Sequence, residues 1–164
     1  MSPRPNCSLW HSRALGGYTL IELMAVLVVV GILSVVAYPA FMAQVRKARR
    51  AEAVSTTALI QQAQERWRAN QPTYATRLMT ANPADCDTPA EQVTNSCLNI
   101  AAATGARYTY ALSANTATAY TLTVTAVTGS SQAADTQGGT ACTPLVVTVS
   151  NGNATRTPAA CWSN

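Results

Sequence analysis

Charge is scarce in this chain. Of its 164 residues only 11% are Asp, Glu, Lys or Arg, against about 25% in an ordinary soluble domain. Histidine is scarcer still: His11, close to the N-terminus, is the only one. No Cys-x-x-Cys spacing occurs. A zinc site needs clustered thiolate and imidazole ligands, so no metal and no other cofactor is expected. Beyond Asn70 the acids are Asp85, Asp87, Glu91 and Asp135. They form no carboxylate pair in a recognisable catalytic setting, and no histidine accompanies them, so an enzyme is not expected.

Ala, Thr and Ser stand where Lys and Glu would usually be. That suits a secreted or surface protein, or a subunit whose faces are covered by neighbours. The formal charge of +4 is local rather than general. Arg4 and Arg13 lie at the N-terminus, and Arg46, Lys47, Arg49 and Arg50 form one cluster. Past Asn70, Arg77, Arg107 and Arg156 nearly balance the acids. A basic balance so concentrated does not by itself imply nucleic-acid binding. Contact of the 46–50 cluster with anionic lipid headgroups is the expected reading.

Five cysteines are present. Cys7 is set apart near the N-terminus, and Cys86, Cys97, Cys142 and Cys161 remain. An even number in an exported domain reads as two disulfides. Three pairings are open; Cys86–Cys97 and Cys142–Cys161 are favoured because each closes a short loop. A loop of about 15 residues is worth roughly 3 kcal/mol in the chain-entropy model.

The longest uninterrupted feature is apolar. From Leu23 to Val45 no residue is charged, a length that crosses a bilayer core of about 30 Å as a helix. Glu22 sits at its edge, where an ionised carboxylate costs up to about 2.5–3.5 kcal/mol on insertion scales. Small Gly17 precedes the run and suggests a cleavage site. Cleavage there leaves a new amine on Tyr18, a few residues from Glu22, as a possible charge partner. The hydrophobic segment follows the cut, unlike that of an ordinary secretory signal. Gly31 and Pro39 weaken the helix, and a kink or locally melted stretch is expected between them.

Downstream, Ala53, Thr57, Ile60, Ala63 and Trp67 recur at spacings of three and four, predicting an amphipathic helix that Gln71-Pro72 ends. With the apolar run this makes one helix over about 18–70. Residues 71–107 read as loop with short helical turns. Period-two patterns then mark strands at 108–112, 120–126 and 145–149, with a loose loop at 129–141. Asn151-Gly152 signals a hairpin, and 153–157 returns as an edge strand. The expected fold class is α+β, a long N-terminal helix packed on an antiparallel β-meander. The expected organisation is a leader at 1–17, a transmembrane half-helix at 18–45 and an exported globular domain at 46–164. The positive-inside rule would hold the 46–50 cluster in the cytoplasm. The cysteines and strands weigh for export.

Gly17-Tyr18-Thr19-Leu20-Ile21-Glu22-Leu23-Met24 resembles the class III signal of type IV prepilins, usually Gly-Phe-Thr-Leu-Ile-Glu. The likeness continues through Gly31 and Pro39 to the sheet and the C-terminal disulfide loop, and the part from Tyr120-Thr121-Leu122 to Cys161-Trp162 looks like PilE-type minor pilins of gammaproteobacteria. The resemblance implies cutting between Gly17 and Tyr18 by a prepilin peptidase, and methylation of the Tyr18 amine. Glu22 would attract the N-terminal amine of a neighbouring subunit, and Thr19 could bond at the same junction. The helix would loosen between Gly31 and Pro39. Implied partners are other pilin subunits, the peptidase, an inner-membrane assembly platform, and inner-membrane lipid before assembly. The role would be that of a minor pilin in assembly, adhesion or twitching motility. Tyr18 in place of Phe and a long leader depart from the usual pattern.

Two rivals share this N-terminus. A type II secretion pseudopilin often builds a calcium site from C-terminal acids, but Asp135 is the only acid after Glu91. A DNA-uptake pilin needs exposed basic residues on the distal domain to neutralise phosphates, for which Arg107 and Arg156 are few. A single-pass protein with no assembly role leaves Glu22 after Gly17 unexplained.

Overall fold

The computed structural model describes residues 17–79, 83–100 and 107–162; the proposed leader before Gly17 lies outside them. One helix, α1, runs over Leu20–Arg68. It is continuous through Gly31 and Pro39, so the melted stretch expected between them is not found. Proline removes one backbone donor, and the neighbouring turns retain their helical bonding. The chain divides between Ala40 and Phe41 into two units, described separately below.

In the first unit the helix is solvent-facing all round. Its large apolar side chains, from Leu20 through Val36 and Tyr38, lie between about half and four-fifths exposed. Nothing among the described residues covers them. By length and composition this helix can cross a membrane. Ser34 folds its hydroxyl back onto the Val30 carbonyl at 2.7 Å, so that polar group is satisfied within the helix.

In the second unit one stripe of α1 is buried: Arg50, Ala53, Thr57, Ile60 and Gln64. Spacings of three and four keep these on one face. The sequence pattern places Ala63 and Trp67 on that stripe, but both are only half-buried and Gln64 takes the position. Hydrogen bonding decides between them. The Gln64 carboxamide donates to the Ala75 carbonyl and accepts from the Ala75 N–H, each at 2.9 Å. A buried amide so paired costs little, whereas the N–H of Ala75, a fully buried residue whose carbonyl also accepts from Asn115, would otherwise be unmet.

The sheet is a four-stranded antiparallel meander. Its strands are β1 (Tyr108–Ser113), β2 (Ala119–Ala126), β5 (Leu145–Ser150) and β6 (Asn153–Thr157), adjacent in that order. Register places Leu122 between Leu112 and Val147, and Val124 between Tyr110 and Leu145. Alternation sends Tyr120, Leu122 and Val124 inward with Leu145, Val147 and Val149. These residues pack with Ala53 and Ile60 of α1 in one core. Full burial of each aliphatic side chain contributes on the order of 1.5–3 kcal/mol. The β5–β6 turn has Asn151 at φ 49° and Gly152 at φ 78°, both left-handed, as a two-residue hairpin of matching twist requires. Strand β6 is exposed along its length.

Residues 129–141 are more ordered than the glycines suggested. A 3₁₀ turn over Ser131–Ala134 leads into a small hairpin, β3 (Thr136–Gln137) with β4 (Thr140–Ala141). Both disulfides have the local pairing, Cys86–Cys97 and Cys142–Cys161. Within the first loop lies α2 (Pro89–Asn95), with Pro89 at its first position. The Thr88 hydroxyl accepts from the Glu91 N–H, and the Glu91 carboxylate accepts from the Thr88 N–H and hydroxyl. These bonds hold the Glu91 carboxyl below its ordinary pKa. Burial pushes the Tyr108 and Tyr120 phenols up to about 12, so both are neutral at physiological pH.

Candidate functional site

The N-terminal segment is built around the start of α1. Tyr18 is 79% exposed, and Gly17 and Thr19 are exposed with it. Thr19 occupies the N-cap: its hydroxyl accepts from the Glu22 N–H at 3.3 Å, and its carbonyl accepts from the Leu23 N–H at 3.2 Å. The sequence signal for this is Thr-x-x-Glu before an apolar run, a second meaning of the motif that a reading through pilin assembly alone overlooks. Thr19 therefore already has a role inside its own chain. Glu22 lies in the first helical turn, at the positive end of the helix dipole, which offsets part of the carboxylate's cost by about 0.3–1 kcal/mol. It forms no salt bridge among the described residues.

A methyl group added at Gly17 or Gly31 would meet nothing within 4 Å. Neither glycine is required by packing among the described residues.

The basic cluster is placed differently from expectation. Arg50 is almost fully buried and pairs with Asp135, Nη1 to Oδ2 at 2.6 Å. Its Nη2 donates to Gln137 Oε1 at 2.7 Å. Arg49 donates to the Ser131 hydroxyl at 2.9 Å, and Arg46 to the Ala134 carbonyl at 3.4 Å. The Gln132 carboxamide donates to the Arg46 carbonyl at 2.9 Å. Three of the four cations thus hold the 131–137 segment against α1. The Asp135 carbonyl also accepts from the Cys142 N–H at 2.9 Å, so the clamp reaches the disulfide loop. Spacing alone could not reveal this, because Asp135 lies 85 residues from Arg50.

Elsewhere the cations divide into occupied and free. Arg68 donates to the Ala117 and Gln71 carbonyls, both at 2.7 Å. Arg66, Arg77, Arg107 and Arg156 are exposed. Arg156 stands over the Trp162 ring at 5.9 Å, a cation–π pair beside the Cys142–Cys161 bridge. No group of three or more metal-ligating side chains occurs among the described residues.

No curated protein and no solved structure matches the chain. Two family models do. Residues 13–38 match the prokaryotic N-terminal methylation motif. Residues 39–146, about two thirds of the chain, match the family described as type IV minor pilin ComP, DNA uptake sequence receptor. The narrower likeness to PilE-type pilins of gammaproteobacteria is not the one found. Motif, long helix, meander and disulfides agree with that match, and the chain belongs to the ComP family of type IV minor pilins.

Proposed function

We propose that this minor pilin is cut after Gly17, methylated on Tyr18, and drawn into a type IV pilus by its Glu22. The observation that carries the reading is Glu22 itself, the lone carboxylate of an apolar half-helix with no cover among the described residues. Before assembly that half-helix sits in the inner membrane with the globular unit on the periplasmic side. A prepilin peptidase and an inner-membrane assembly platform are the partners this requires. In the filament, neighbouring subunits replace lipid around residues 18–45. There the missing donor at Pro39 and the freedom of Gly31 are where the helix loosens. Mass spectrometry of the chain recovered from pili should show Tyr18 first, carrying one added methyl. An intact leader, or an unmodified Tyr18 amine, sinks the processing half of the proposal.

A second reading is favoured by the family's description: reception of DNA by the globular unit. With Arg46, Arg49 and Arg50 engaged by the 131–137 segment, the exposed arginines beyond α1 are Arg77, Arg107 and Arg156, the last beside an indole on which a base can stack. A gel shift with the detergent-solubilised chain and duplex DNA measures this. Each phosphate neutralised adds about −0.9 to the slope of log K against log salt. Changing all three arginines to Gln should abolish the shift and the slope. A retained shift excludes these residues, and no shift by the unaltered chain at low salt excludes the reading.

A further inference from the structure

One cleft of the second unit is absorbed by neither role. It has a volume of about 540 Å³ and is bordered by the last turns of α1, by α2 and by the strand of chain after it. Its chemically informative residues are Arg66, Trp67, Asn70, Gln71, Gln92 and Asn99. The size falls within the range of small-molecule sites.

Several of these side chains are held in place. The Trp67 indole N–H donates to the Thr73 carbonyl at 3.0 Å, so the ring offers the cleft its apolar surface rather than its donor. The Gln92 amide donates to the Cys86 carbonyl at 3.0 Å, and the Cys86–Cys97 bridge staples that wall. Asn70 donates to the Arg66 carbonyl at 3.2 Å, which leaves its amide oxygen free to accept. Asn99 is held at a left-handed φ of 49°. Arg66 is exposed and makes no salt bridge among the described residues. No acid lines the cleft.

We infer that this cleft binds a sugar carrying a carboxylate. The four carboxamides each combine donor and acceptor, the pairing that vicinal hydroxyls satisfy. The indole face suits the C–H surface of a pyranose ring. The unpaired guanidinium is matched to a single carboxylate, bidentately. A nucleic-acid backbone fits less well, because one cation neutralises few phosphates. The absence of an acid argues against a cationic ligand.

The test uses the full chain in a sugar-free zwitterionic detergent, followed by saturation-transfer NMR. The probes are glucuronic acid, N-acetylneuraminic acid, uncharged glucose and an oligothymidylate. At least one acidic sugar should bind in the millimolar range, about ten-fold or more tighter than glucose. Arg66→Gln, a change on the exposed surface, should erase that preference while leaving weak neutral-sugar binding. Asn99→Ala should weaken all saccharides together. No acidic-sugar signal overturns the inference, as does a preference that survives Arg66→Gln. Tighter binding of the oligothymidylate with steep salt dependence reassigns the cleft to nucleic acid.

Discussion

Asp135→Ala is expected to destabilise the globular unit by about 3–5 kcal/mol. The change leaves the Arg50 guanidinium almost fully buried with only neutral acceptors, Gln137 Oε1 and the weakly accepting Cys142 sulfur, in place of a carboxylate. The lost attraction is only part of the cost. An uncompensated charge on the buried stripe of α1 must find water or remain poorly solvated. Urea unfolding of the detergent-solubilised chain, followed by Trp67 and Trp162 fluorescence, should show the midpoint falling at an unchanged m-value. The double variant Arg50→Met/Asp135→Leu should recover most of the loss, because removing both charges removes the desolvation penalty with them. If Asp135→Ala changes stability by less than about 0.5 kcal/mol, as at an ordinary surface site, the pair does not act as a buried clamp. If the double variant is as unstable as the single one, the clamp's contribution lies in geometry rather than charge.

This clamp also changes how the chain's basicity is understood. A run of four cations after an apolar span suggests attraction to lipid headgroups, and sequence supplies no counter-argument. The folded chain commits three of them to residues 131–137. The segment so held joins β2 to β5 and continues into the Cys142–Cys161 loop. Three of these cations therefore position a C-terminal loop.

The elements that repeat were legible in the sequence. Alternation over Tyr120–Ala126 and Leu145–Val149 locates the two central strands, because one buried sheet face demands period two. Asn151-Gly152 marks the hairpin, since few other residues accept two left-handed positions in succession. The local cysteine pairing follows loop lengths. Long-range polar bonds were not legible. Gln64 reads as a solvated helix residue until Ala75 is seen beside it, and Arg50 reads as surface until Asp135 is. Such pairings depend on the tertiary fold, which no local window contains. At Thr19 the limit is different: the N-cap was present in the letters, but the same letters spell the prepilin motif.

That double meaning shapes the second large effect. Glu22→Ala should lower the amount of this protein in sheared pili about ten-fold or more, while its level in the membrane stays the same or rises. An ammonium and a carboxylate 4 Å apart attract by about 4 kcal/mol at an effective dielectric of 20. Desolvation offsets part of this, and about 1.4 kcal/mol suffices for a ten-fold change. Removing the charge also makes the half-helix more apolar, by up to about 2.5–3.5 kcal/mol at a helix centre. Insertion is therefore favoured while assembly is lost, and the ratio of pilus to membrane protein separates the two. Capping is the competing role, since Glu22 stands third after the Thr19 cap. Glu22→Gln distinguishes them, because a glutamine at that position suits the start of a helix capped by Thr as glutamate does but carries no charge. If Gln fails as Ala does, the charge is what assembly uses. If Gln restores normal incorporation, Glu22 acts by shaping the start of α1, and the intersubunit amine pairing is wrong.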